Sequence, residues 1–207
     1  MRTIKSFRAW LKKPGLSETE MKQKHFAAMP KEVKPGMFVY ADGLISEELI
    51  SDRQIKAVIG YVEKGIAYAV CLQQIQLPWS SGWLESHITR NMADGKKATC
   101  KMLEIAQKSG KKAEAAQWCY NYTENGVQAG EAFLPSLTEW EKLYANKTAI
   151  NASLRELNVV ELRGYYWSST EGDTVLAKAF GMHNGFRYQH YKNYNDSYAR
   201  PILAIQI

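Results

Sequence analysis

The spacing of apolar residues changes twice along the chain. From Gly36 to Gln76 they fall in short runs rich in β-branched and aromatic residues, and three runs read as strands: Met37-Phe38-Val39-Tyr40, Ile55 to Val62 and Ile66 to Leu72. Ala41-Asp42-Gly43 is a turn signal, and Glu63-Lys64-Gly65 makes a hairpin of the last two runs. Trp79 and Trp83 follow in a Ser- and Gly-containing loop. From Ala98 to Asn121 the period becomes helical: Met102, Leu103, Ile105 and Ala106 form a stripe, Ser109-Gly110 breaks it, and Ala113 to Tyr120 resumes it. Ser136 and Glu139 form a capping box that starts another helix, with Leu137, Trp140, Leu143 and Tyr144 on one face. Ile150 to Leu157 is a further short helix. Strand patterning returns at Tyr165–Ser169, Val175–Gly181 and Ala199–Ile207, with turns at Gly181 and Asn184-Gly185. Strands, then helices, then strands predict an α+β fold in which antiparallel strands carry helices packed on one side.

Two segments stand apart from this alternation. Residues 1–35 read as a basic N-terminal arm, in which a Ser17–Glu20 capping box starts a short helix through Ala28 and Pro30 and Pro35 stop it. The domain proper is then 36–207. The second segment lies just before the last strand and is crowded with Tyr, His, Asn and Arg: His183, Asn184, Phe186, Arg187, Tyr188, His190, Tyr191, Asn193, Tyr194, Asn195, Ser197 and Tyr198. Tyr offers large, stiff, amphipathic area at low entropic cost, and Asn and Ser offer adaptable hydrogen bonds, which is paratope chemistry. A contiguous aromatic surface marks an interaction site. The expected ligand-binding set is therefore Asn184, Phe186, Arg187, Tyr188, His190, Tyr191, Asn193, Tyr194, Asn195, Ser197 and Tyr198, with the four tyrosines as anchors and the polar residues tuning specificity.

Composition narrows the chemistry. With 207 residues, 45% hydrophobic and 23% charged, the chain can build a core as one domain. Its net charge is +6, with a basic cluster at Lys96, Lys97, Lys108, Lys111 and Lys112 that suggests polyanion binding as a secondary role. The three cysteines, Cys71, Cys100 and Cys119, show no CxxC and read as small buried hydrophobes. No cofactor, metal site or catalytic residue is expected: His183 and His190 have no clustered carboxylates, Ser168 and Ser169 sit in no nucleophile elbow, and Glu171 and Asp173 read as turn acids. Trp167 is expected in the core, and Arg200 is expected to anchor the last strand internally. Neither a membrane span nor a standard export signal is visible, so the expected setting is a virion or cell surface, or else the cytoplasm.

The order of motifs resembles a known family. Phe133-Leu134-Pro135-Ser136 with Glu139, then Tyr166-Trp167-Ser168-Ser169-Thr170-Glu171, then Arg200-Pro201-Ile202, together with Asp94-Gly95-Lys96 before a helix containing Ala115 and Ala116, resembles the C-terminal domain of bacterial collagen-like adhesins. The resemblance spans Gly36 to Ile207. It implies a C-type-lectin-like fold, related to formylglycine-generating enzymes and shared with the variable proteins of diversity-generating retroelements. In those proteins, mutation at adenines turns Asn codons into Tyr, His, Asp and Ser, the residue set seen at 184–198. The resemblance thus implies a hypervariable recognition surface for a cell-surface protein or glycan receptor, of phage receptor-binding or adhesion type. A larger assembly would be joined through the N-terminal arm, and a homo-oligomer fits the same picture. The lectin calcium motifs and the paired C-terminal cysteines of the formylglycine-generating enzymes are absent, so a degenerate enzyme is the alternative and not the expectation.

Overall fold

The computed structural model describes residue 30 and residues 32–207, with Ile88 described by its backbone alone. The helix expected between Ser17 and Ala28 lies outside the described residues. The strands are β1 (Phe38–Tyr40), β2 (Ile45–Ser46), β3 (Ile55–Glu63), β4 (Ile66–Cys71), β5 (Ile75–Gln76), β6 (Ala132–Phe133), β7 (Tyr165–Glu171), β8 (Leu176–Gly181), β9 (Arg187–Tyr191), β10 (Tyr198–Ala199) and β11 (Ile202–Gln206). The α-helices are α1 (Gly95–Ser109), α2 (Glu114–Tyr120), α3 (Leu137–Ala145) and α4 (Lys147–Glu156). The architecture is mixed α+β.

Among the described residues two sheets form, a six-stranded one in the order β2-β1-β3-β4-β11-β6 and a five-stranded one in the order β5-β10-β7-β8-β9. All pairings are antiparallel except β7 with β10, where Tyr166 faces Tyr198 in parallel. The hairpin at Lys64-Gly65 closes β3 on β4 in the expected place. The segment expected as one terminal strand is two, β10 and β11, which belong to different sheets. The break falls at Arg200-Pro201, where proline has no N–H to give a ladder. Arg200 is fully buried there and ties the crossing together. Its Nε donates to Cys71 O at 2.9 Å, one Nη to Val160 O at 2.6 Å and the other to Leu72 O at 3.1 Å.

Three apolar clusters fill the space around the sheets. The largest lies between them and joins Phe38, Tyr40, Val58, Val70 and Ile202 to Tyr166 and Phe180, with Trp140, Leu143, Ile150 and Leu154 from α3 and α4. A second joins Trp79, Trp167, Ala177 and Ala179 to Met102 and Ala106 of α1 and Ala115, Ala116 and Cys119 of α2. A third buries Val39, Ile59, Ala69 and Leu203 with Tyr122 and Val127, and Trp118 of α2 packs against it. The helices are shared between the clusters, α3 and α4 in the first and α1 and α2 in the second, with Trp118 alone reaching the third. In β1 to β4 consecutive residues such as Phe38, Val39 and Tyr40 are all buried, so both faces need cover.

Helix limits follow the expected signals. Gly110 stops α1 in a left-handed conformation at φ 69°, where a β-carbon would be strained. The capping box forms: Ser136 accepts from Glu139 N at 3.2 Å, and Ser136 N donates to Glu139 at 2.7 Å. Glu139 is buried, and burial pushes its carboxyl up to about 7 although Ser136 and Gly95 donate to it.

Candidate functional site

The Tyr- and Asn-rich segment is a hairpin arm followed by a projecting turn. Its first half is β9, a strand that the dense polar composition conceals. β9 pairs with β8 in regular register, Ala179 with Tyr188 and Ala177 with His190. Side chains alternate along a strand, so the segment cannot be one surface. Arg187, Gln189 and Tyr191 point to one face and are exposed; Tyr188 and His190 point to the other and are half-buried.

On the half-buried face the rings gather around Tyr165. Its centroid lies 5.0 Å from His183, 4.9 Å from Tyr188 and 5.1 Å from His190, all edge-to-face. That geometry sets positive ring edges against negative faces. His190 Nδ1 is 2.8 Å from Ser197 Oγ and 3.3 Å from Asp196 Oδ1. Asn184 donates to the Tyr188 hydroxyl at 2.7 Å. Gly181 makes this closure feasible: a β-carbon there would lie 2.7 Å from Asn184 Oδ1 and 2.8 Å from the Tyr188 ring.

Past β9 the chain projects Asn193, Tyr194, Asn195 and Asp196 into solvent between two fully buried residues, Lys192 and Ser197. Tyr191 and Tyr194 stand side by side with centroids 5.1 Å apart, 48% and 52% exposed. Phe186 is 66% exposed. Arg187 is held toward α3 by Glu141 at 2.5 Å.

Lys192 is the anchor that composition gave no reason to suspect. Its Nζ donates to Glu171 Oε1 at 2.7 Å, to Leu84 O at 2.7 Å and to Thr174 O at 3.1 Å, and it lies 5.2 Å from the Trp79 ring centre. Burial pulls its ammonium below the usual lysine range, against the pull of Glu171. Glu171 also accepts from Ser86 N at 2.9 Å and from Arg90 Nε at 3.0 Å. Both ends of the exposed turn are therefore fastened to the core, one by a buried ion pair and the other by Ser197.

The expected set is thus sorted by exposure. Phe186, Arg187, Tyr191, Asn193, Tyr194 and Asn195 are exposed; Asn184, Tyr188 and His190 are half-buried in the ring cluster. Burial overturns one assignment, Ser197, and Tyr198 is half-buried. Ser197 is fully buried and spends its hydroxyl on His190, so it has no face for a ligand. Tyr198 packs against the main core, its ring 5.8 Å from that of Tyr166. Tyr165, expected only as the start of a strand, also belongs to the cluster. The signal was its two-residue offset from buried Trp167, which puts both on one face.

The basic cluster is not one patch. Lys97 and Lys108 sit near opposite ends of α1, roughly 16 Å apart along the axis. Lys97 meets Asp94 at 3.3 Å, Lys108 meets Glu104 at 2.7 Å, and Lys111 donates to Trp83 O at 2.9 Å. Lys96 and Lys112 are exposed at the two ends. Cys71 and Cys119 are buried as expected, whereas Cys100 is exposed. It lines an open groove of about 970 Å³ between α1 and α2. Glu171 is not a turn acid but the partner of Lys192, while Asp173 does cap a turn, accepting from Val175 N at 2.8 Å. Among the described residues no group of three or more His, Cys, Asp or Glu side chains is placed to hold a metal ion. Nor is any helix among them long and apolar enough to cross a membrane.

No family model matches the chain, and no curated protein matches it. Among solved structures, a fimbrial protein from Bacteroides ovatus ATCC 8483 shares its fold, with a TM-score of 0.62 at 11% identity. The match covers 85% of this chain and 49% of that one, so the chain spans about half the length of that fimbrial protein. At that identity the likeness is one of fold.

Proposed function

We propose that the chain is a non-enzymatic recognition protein of adhesion type, which binds a cell-surface protein or glycan receptor through Phe186, Arg187, Tyr191, Asn193, Tyr194 and Asn195. One observation carries this reading: Tyr191 and Tyr194 stand exposed side by side, and the turn that carries Tyr194 runs between two buried residues, Lys192 and Ser197. Rings in water cost hydration free energy unless a partner covers them, and a fastened backbone loses little further entropy when it binds. A scaffold of C-type-lectin type suits this role, and the fold shared with a fimbrial protein fits a place at a cell surface. The hypervariable reading draws on the same geometry, because Asn193 to Asp196 can change without entering any apolar cluster.

The test is a binding screen on bacterial cells and on arrayed glycans, with wild type beside the double variant Tyr191→Ala, Tyr194→Ala. The double variant should melt within a few degrees of wild type and lose at least tenfold in affinity, since aromatic anchors dominate such interfaces. Undiminished binding by the double variant would place recognition elsewhere.

A further inference from the structure

The four outer strands of the two sheets are unequal. β2, β5 and β6 have two residues each, and β9 has five. Short edges are a common protection against unwanted pairing; proline, bulges and edge lysines are others. β9 has no proline, bulge or lysine, and its one exposed charge, Arg187, is neutralised by Glu141; its sequence is Arg187-Tyr188-Gln189-His190-Tyr191 and its register with β8 is unbroken.

The register also shows which groups are unpaired. Gly181 N donates to Phe186 O at 2.9 Å, and Lys192 N donates to Val175 O at 3.0 Å. In an antiparallel ladder these bonds recur at alternate residues. Phe186, Tyr188, His190 and Lys192 therefore turn their backbone groups toward β8, and Arg187, Gln189 and Tyr191 turn theirs outward. Among the described residues nothing bonds to the outward N–H groups of these three; the only taken group is Tyr191 O, which accepts from Tyr194 N at 3.1 Å.

From this we infer that β9 is a self-pairing edge, and that two copies of the chain join antiparallel through it, about a two-fold axis at Gln189. The occupant is a second copy because the strand complements its own reverse. With Gln189 opposite Gln189, Arg187 faces Tyr191 and Tyr188 faces His190. No like charges meet: Arg187, neutralised by Glu141, stands beside a ring, and the other pairs are ring on ring and amide on amide. Aromatic cross-strand pairs are favourable, and like charges directly opposite are not. The outward groups of Arg187, Gln189 and Tyr191 supply the hydrogen-bonded positions, and the second lone pair of Tyr191 O serves its bond. The result is one sheet continuous across both copies, with the Tyr191–Tyr194 turns at either end of the joint. Isologous contacts of this kind close on themselves and do not propagate.

The experiment is sedimentation equilibrium of the full chain over a wide concentration range, with variants at the axis. Wild type should be dimeric. Gln189→Lys alone and Gln189→Glu alone each place like charges face to face, and each should dissociate at least tenfold more readily. Mixed together they should recover a heterodimer, because only a residue facing its own copy can be rescued by its opposite charge. The exposed side chain of Gln189 makes both variants compatible with folding. Hydrogen exchange supplies a second reading: amides of Arg187, Gln189 and Tyr191 should gain protection as concentration rises. A wild type that stays monomeric, axis variants that dimerise like wild type, or a mixture that shows no rescue would each overturn the proposal. Loss of the dimer with receptor binding intact would leave the recognition surface standing by itself.

Discussion

Replacing Lys192 with Met tests whether the exposed turn is held by buried charge. Met keeps the length and volume of the stem and removes the ammonium. Three acceptors lose their donor: Glu171 Oε1, Leu84 O and Thr174 O. Breaking a buried pair from one side costs about 3–5 kcal/mol, because the remaining charge has neither water nor partner. Glu171 keeps Ser86 N and Arg90, so the lower end of that range, about 3 kcal/mol, is expected here. For a chain of this length each kcal/mol lowers Tm by about 2–4 °C, giving a drop of roughly 6–12 °C. Urea unfolding of wild type, Lys192→Met, Glu171→Gln and the double variant completes a cycle. The double variant should be more stable than the sum of the singles predicts by about 1 kcal/mol or more, as groups in one network couple. Added salt should change the coupling little, since screening acts on solvent-exposed pairs. A Lys192→Met protein within about 0.5 kcal/mol of wild type, or strict additivity, would refute the idea that this pair fastens the turn.

Two further outcomes follow from packing and titration. Gly181→Ala should push Asn184 and the Tyr188 ring aside, costing about 1–3 kcal/mol by overpacking and altering tyrosine fluorescence; an unchanged spectrum and melt would mean that the ring cluster is not close-packed. Glu139 has a carboxyl raised from 4.5 to about 7 in the folded chain, so the native state binds its proton more tightly than the unfolded state does. Its contribution is therefore largest below 4.5 and is lost as pH rises toward 7, by up to about 3 kcal/mol. Denaturant titrations between pH 4.5 and 8 should show this slope in wild type and not in Glu139→Gln.

Much of the architecture was readable from local patterning. The β3–β4 hairpin, the break of the helix at Ser109-Gly110 and the Ser136–Glu139 capping box rest on short-range rules, and all formed as expected. Trp167 and Arg200 were also placed inside from sequence, and both are buried. What failed to show was tertiary. β9 carries no aliphatic residue, so its period-two alternation of exposed and half-buried positions looks like polar loop until β8 is beside it. Lys192 reads as one more solvated cation among Asn and Tyr; only the fold brings Glu171, Leu84 and Thr174 to it. The split between β10 and β11 was hidden for a like reason, since nothing near Pro201 says that the two sides belong to different sheets.

The position of β11 has a consequence for synthesis. Residues 202–206 lie between β4 and β6, with residue 206 opposite residue 66, so the larger sheet is completed only after its other five strands have been synthesised. Until then β4 presents an open ladder, and the hairpin it belongs to must wait for a partner more than a hundred residues downstream. A chain interrupted before Ile202 keeps β2, β1, β3 and β4 paired, but leaves the edge of β4 open and gives the two-residue strand β6 no neighbour.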